Sequence, residues 1–169
     1  MKAAISALAL LLAFATPAHA QASVPNPQVD YEGFSGLTRD LAAVRANRLL
    51  GWEQFARAAR ARGALLLDAR SADAYARGHL AGAVNLPFTD FTDEALARVI
   101  GPDRNRPIYI YCNNNFSDHA DPVPLKRAPM ALNIPTFINL HGYGYANVWE
   151  LADVIATRGP GVRWVSRSR

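Results

Sequence analysis

Cys112 is the only cysteine in the chain. It stands where a strongly apolar run, Pro107 to Tyr111 (PIYIY), gives way to the polar stretch Asn113-Asn114-Asn115-Phe116-Ser117-Asp118. A lone cysteine cannot close an intramolecular disulfide or a Cys-x-x-Cys pair, so it is either a buried core residue or a reactive thiol. The polar residues directly after it place it at the mouth of a loop. If that loop curls around the sulfur, its backbone N–H groups face inward as an anion nest. Such donors, together with the start of a following helix, would favour a thiolate over a thiol whose free pKa is about 8.5. No histidine is assigned as its base by spacing: His119 is close in sequence, while His79 and His141 are distant. A thiolate activated by backbone donors needs none.

Three consecutive asparagines are costly in a core and easy in a loop, because asparagine tolerates left-handed backbone and bonds to its own main chain. Asn113, Asn114 and Asn115 therefore build a turn, contact a bound anion, or do both. Asp68 and Arg70 form an Asp-x-Arg unit at the end of an apolar run, with side chains pointing the same way. They are either a structural ion pair or helix cap, or Arg70 supports the cysteine loop electrostatically. His79, in Arg77-Gly78-His79-Leu80-Ala81-Gly82-Ala83, reads as a packed turn histidine bonded to backbone groups. No acidic or histidine cluster has metal-ligand spacing, and no nucleotide or haem motif is present. No cofactor is expected.

These residues need a scaffold. Ala64 to Ala69 (ALLLDA) and PIYIY are continuous apolar runs, as expected of buried strands in a parallel sheet. Ala83 to Leu86 and Asn147 to Leu151 read as further short strands. Trp52 to Arg62 has the apolar spacing of an amphipathic helix, and Leu49-Leu50-Gly51 before it reads as a turn. Ser71 caps a helix ended by Gly78. Thr92-Asp93-Glu94 opens another, closed by Gly101-Pro102. Leu125 to Asn133 reads as a helix broken near Pro129, Thr136 to His141 as a helix, and Ala152 to Thr157 as a short one. Gln21 to about Arg39 reads as an irregular lead-in, and Gly159 to Arg169 as a loose tail whose Val162, Trp164 and Val165 could make an edge contact. Strands alternating with helices predict an α/β fold with a mostly parallel sheet covered on both faces. Ligands of such folds bind outside the carboxyl ends of the strands, where Asp68, Arg70 and Cys112 fall.

The chain has 169 residues, half of them hydrophobic, which suits one domain with an extension. Lys2, the apolar run Ile5 to Phe14 and the small residues before Gln21 form a secretory signal pattern, residues 1–20. The run is short for a membrane span, which needs about 20 residues. The expected product is soluble, without stable membrane insertion, and outside the cytoplasm. Abundant Ala and Arg suggest a bacterial source and hence the periplasm. The formal charge is +4 with scattered arginines. A nucleic-acid partner is not expected, since that calls for a concentrated basic patch with stacking aromatics.

The stretch LLLDARSADAYARGHLAGAVNLP, Leu65 to Pro87, resembles the signature of the rhodanese-like family. PIYIYC resembles the strand that delivers that family's catalytic cysteine, and NVWEL its last core strand. The resemblance spans roughly residues 49–158, flanked by an N-terminal extension, 21–48, and a C-terminal tail, 159–169. It implies a three-layer α/β/α fold. It also implies persulfide chemistry, in which Cys112 takes a sulfane sulfur from a donor and passes it to a thiol. By the same resemblance the main chain of Asn113, Asn114, Asn115, Phe116 and Ser117 cradles the transferred group, Asp118 and Arg70 border the bound substrate, and Asp68 and His79 organise the pocket. The partners implied are a small sulfur-containing substrate or a thiol protein.

The chain also departs from the family. Its loop carries no Arg or Lys and ends in Asp118, which counts against thiosulfate as the donor because a dianion loses its charge partner. The family's phosphatase relatives have an arginine near the loop's end, absent here, which counts against phosphate or arsenate chemistry. The proline-bearing segment 121–135 and Glu150-Leu151-Ala152-Asp153 suggest a rebuilt lid, with Phe116, Phe137, His141 and Tyr143 as candidate shapers. Two readings follow: an exported sulfurtransferase, or a catalytically inactive binding or redox-sensing module in the cell envelope.

Overall fold

The computed structural model of the protein describes residues 26–118 and 125–166. The signal pattern at 1–20, His119, and Pro122 and Pro124 lie outside them. The chain divides into two units, Met1–Asp30 and Tyr31–Arg169. In the first, the described residues hold a turn closed by the Val29 N–H on the Asn26 carbonyl at 3.0 Å.

The second unit opens with α1 (Tyr31–Ala46). This corrects the irregular reading of the 21–48 extension. Two glycines in a helix cost about 1 kcal/mol each relative to alanine, and α1 buries no residue fully, so its sequence carries a weak signal. Tertiary links hold it instead. Leu41 packs on the core, and Arg45 forks onto Glu150 at 2.7 and 2.6 Å.

The remaining elements follow in order: β1 (Leu49–Leu50), α2 (Trp52–Ala59), β2 (Leu65–Asp68), α3 (Ala72–Arg77), β3 (His79–Leu80), β4 (Val84–Asn85), α4 (Asp93–Ile100), β5 (Ile108–Tyr111), α5 (Asn133–Gly142), β6 (Val148–Leu151) and β7 (Trp164–Val165). Ser71 caps α3 by accepting from the Ala74 N–H, and Thr92 caps α4 by accepting from the Ala95 N–H. Five strands form one parallel sheet in the order β1-β6-β5-β2-β4, while β3 and β7 pair antiparallel apart from it. Leu49-Leu50 is thus an edge strand rather than a turn.

Alternation along the central strands divides the core into two. Leu65, Leu67, Ile108 and Ile110 face α4 and α5, against Leu96, Ile100, Phe137 and Leu140. Leu66, Tyr109 and Tyr111 face the other way, against Phe55, Leu80 and Phe116. The result is a three-layer α/β/α fold. No helix among the described residues is long and apolar enough to cross a membrane.

Three helix expectations change. The region 125–133 is not a broken helix: a single 3-10 turn, Ala128–Met130, precedes α5. The α5 helix starts before Pro135, which is tolerated in a first turn whose N–H groups have no intrahelical partner. Residues 152–157 do not coil, because their backbone is taken by the cysteine loop: the Ile155 N–H donates to the Asn115 carbonyl at 2.8 Å, and the Ile155 carbonyl accepts from the Ser117 N–H at 2.9 Å. The described part of the tail, through residue 166, supplies β7.

Candidate functional site

Cys112 follows β5 directly. Strand alternation aims it to the same side as Ile108 and Ile110, toward the N-terminus of α5. It is 1% exposed and lines a cavity of about 470 Å³ at the carboxyl ends of the strands.

Backbone accounting decides what cradles the sulfur. The Asn115 N–H goes to the Cys112 carbonyl, the Phe116 N–H to the Asn113 carbonyl and the Ser117 N–H to the Ile155 carbonyl. The loop from 113 to 117 therefore does not close as a nest of five donors. The N–H groups that act on the sulfur are those of Asn114 in the loop and of Leu132 and Asn133 at the start of α5. Burial pushes the Cys112 thiol above its ordinary pKa, these three N–H groups pull it down, and the Glu150 carboxylate pushes it up. Burial prevails, so the resting group is a thiol. This direction runs against the expected thiolate, and its cause is burial, which outweighs the backbone donors.

Each asparagine acts as a clamp. Asn113 Oδ1 accepts from Arg70 Nη1 at 3.1 Å. The Asn114 amide bonds both backbone groups of Lys126. Asn115 Oδ1 accepts from the Cys112 N–H at 2.9 Å and from Asn133 Nδ2 at 3.0 Å. Its Nδ2 donates to the carbonyls of Leu151 and Asp153. No residue other than glycine has positive φ among the described residues, so the asparagines are not used for left-handed backbone. Asn115 is buried and saturated, and it positions the loop rather than meeting a ligand.

Phe116 and Asp118 are also displaced from the expected substrate role. Phe116 is a core residue, edge-on to Tyr111 and Trp164. Asp118 accepts from the Thr157 N–H at 2.6 Å and from the Thr157 hydroxyl at 2.9 Å. These bonds hold its carboxyl below the usual range. Ser117 is exposed at the same edge. None of the three lines the cavity. Phe137, proposed as a lid residue, belongs to the core, against which Tyr143 packs. His141 bonds the Phe137 carbonyl at 2.9 Å and leans on the Phe137 ring, and burial holds it below its ordinary pKa.

Asp68 and Arg70 form a buried ion pair. Arg70 Nε donates to both Asp68 oxygens at 2.9 and 3.1 Å, and Nη2 to Oδ2 at 2.5 Å. Tyr111 donates its hydroxyl to Asp68 Oδ2 at 2.7 Å. Arg70 Nη2 also donates to the Gly78 carbonyl at 2.7 Å, and its guanidinium carbon lies 5.5 Å from the Tyr111 ring centroid and 5.8 Å from that of Trp164. Burial alone would lower the Arg70 pKa, but the bonds and charge of Asp68 raise it overall. Arg70 reaches the cavity wall with its charge largely used. His79 Nδ1 contacts the Tyr75 carbonyl at 2.8 Å and its ring stacks on Tyr75; it does not line the cavity.

Several cavity residues were not assigned to the site from sequence: Ser71, Arg77, Pro87, Phe88, Lys126 and Leu132. Lys126 supplies positive charge that the loop itself lacks, while Arg77 lines the wall paired with Asp73, which lines it too. Their distance from Cys112 along the chain hid them, since only the fold brings them to the cavity. No group of metal-ligating side chains occurs among the described residues.

A parallel α/β sheet with a thiol at the end of its central strand, over a cavity at the strand termini, defines a class of thiol-bearing α/β domain. Within that class the chain belongs to the rhodanese-like domain family, whose model matches residues 52–153. Among solved structures, the rhodanese-like domain from an Anabaena species, determined by NMR, is 20% identical over 70% of this chain and 79% of that one, with a TM-score of 0.45. A Rhodanese_3-like domain from Anabaena is 21% identical over 62% and 94%, at 0.40. A Bacillus halodurans protein is 15% identical over 71% and 77%, at 0.47. No curated protein matches the chain.

Proposed function

We propose that the protein is a sulfurtransferase that carries sulfane sulfur on Cys112 as a persulfide and hands it to a thiol. The observation that supports this most is the position of Cys112 directly after the central strand β5, at the wall of a cavity that Asn114 and Leu132 also line. A persulfide anion places its charge one atom beyond Sγ, where backbone N–H groups of the loop and of the start of α5 would stabilise it. The Cys112 thiolate attacks the donor's sulfane sulfur, a new S–S bond forms, and the donor's S–S bond breaks with departure of its remaining fragment as an anion. An acceptor thiolate then attacks the outer sulfur, and Cys112 leaves as the thiolate. No external oxidant or reductant enters. The N-terminal half of α5 contributes through its dipole, and Asn115 with Asn133 holds α5 against the loop. The signal pattern at 1–20 supports a periplasmic site of action on a small sulfur compound or a thiol protein.

A specific observation favours a second reading. A buried thiol with a raised pKa is chemically inert, as in a binding or redox-sensing module without turnover. Single-turnover transfer separates the two. Protein treated with a sulfane donor and freed of it should convert an added thiol to its persulfide, one equivalent per Cys112, and Cys112→Ser should convert none. Equal conversion by both proteins contradicts the sulfurtransferase reading.

A further inference from the structure

The cavity beside Cys112 is larger and more apolar than a small inorganic donor needs. At about 470 Å³ it falls in the range of organic ligand pockets, about 300–1,000 Å³. Its wall includes Ala74, Pro87, Phe88, Leu125 and Leu132. An inorganic anion would leave this apolar surface wet.

The charge at the cavity is as informative. Arg70 is engaged by Asp68, Asn113 and the Gly78 carbonyl. Arg77 is paired with Asp73. Lys126 has no ion-pair partner among the described residues. Its backbone is fixed to the cysteine loop by Asn114, at 2.7 and 3.3 Å. A lysine is a point charge on a flexible stem. Here it stands at the exposed rim, whereas the sulfur is buried among backbone donors.

Building on the sulfurtransferase reading, we propose that the donor is an organic persulfide bearing a carboxylate. Its carbon skeleton lies on Phe88, Leu125 and Leu132, and its carboxylate is read by Lys126 at the rim. The Cys112 thiolate attacks the outer sulfur of R–S–SH, Cys112–S–SH forms, and R–S⁻ departs and takes up a proton. Thiosulfate suits the arrangement poorly, because it would leave the apolar wall of Phe88, Leu125 and Leu132 uncovered.

The test uses the full chain and three synthetic donors: N-acetylcysteine persulfide, its uncharged amide, and thiosulfate. The rate of sulfur arrival on Cys112 is followed by mass spectrometry. The carboxylate donor should outpace the amide by about fivefold, the worth of one partly exposed ion pair. Lys126→Gln should erase that preference, and Lys126→Glu should reverse it. Thiosulfate should be the slowest donor. Equal rates for carboxylate and amide, a preference that survives in Lys126→Gln, or thiosulfate as the fastest donor each overturn the assignment while leaving the sulfurtransferase reading intact. No sulfur on Cys112 from any donor overturns both.

Discussion

The Asn114 side chain grips the backbone of Lys126 from both sides: Nδ2 donates to its carbonyl at 2.7 Å and Oδ1 accepts from its N–H at 3.3 Å. This one amide ties the cysteine loop to the chain returning toward α5, which supplies two of the three N–H groups at the sulfur. Asn114→Ala should lower stability by about 1 kcal/mol, the usual worth of such bonds. It should also slow sulfur uptake more than that loss alone explains, because the two halves of the cradle lose their link. Thermal unfolding and single-turnover uptake, measured on one preparation, check both effects. Unchanged uptake would show that Asn114 serves stability only.

Gly78 makes a close approach that a side chain forbids. Its backbone is extended, but a Cβ there would overlap the Trp164 indole. Gly78→Ala should cost about 1–3 kcal/mol, as overpacking does. It should also loosen Arg70, which bonds the Gly78 carbonyl and lies under Trp164. Chemical denaturation reads the first effect, and the indole fluorescence of Trp164 against a Trp164→Phe reference reads the second.

Asp118 faces Thr157, not the cavity. Asp118→Asn should reduce stability modestly at neutral pH and leave sulfur uptake unchanged. Its folded pKa is lowered, so its contribution is present above the ordinary carboxylate range and fades as pH falls through the folded value. The stability difference between wild type and Asp118→Asn should therefore shrink on acidification. Faster uptake from thiosulfate in the variant would place the carboxylate near the donor after all.

Burial raises the Cys112 pKa, and the Glu150 carboxylate adds to the effect. The reactive form is the deprotonated one. Uptake should therefore climb with pH through the ordinary cysteine range, near about 8.5, without levelling there. Glu150→Gln removes the nearby negative charge and leaves Arg45 unopposed, so the climb should begin at lower pH. A stopped-flow pH profile of both proteins measures this. A plateau already reached at neutral pH in wild type would mean that the three N–H groups outweigh burial.

The sheet was legible because its signals are local. ALLLDA and PIYIY are apolar on both faces, and Ser71 and Thr92 sit where caps must. α1 was hidden by its glycines and its exposed apolar residues, such as Phe34 and Leu37. Residues 152–157 looked helical in isolation, but their backbone groups bond the loop. The position of Cys112 at a strand end followed from the apolar run before it. The cradle did not, since a sequence does not say where a loop spends its N–H groups. The asparagine run looked like one device, and the fold separates it into three clamps with different partners. The acidic Asp118 looked adjacent to the sulfur by number, while Lys126 and Arg77 reach the cavity only through the tertiary fold.

The most direct test of the central claim is the intact mass of purified, reduced protein after brief exposure to an organic persulfide, with Cys112→Ser as control. A gain of one sulfur atom on the wild type alone, lost on adding cyanide or a thiol, is the predicted result. An unchanged mass, in protein whose thiol is shown to be reduced, would contradict Cys112 as a sulfur carrier.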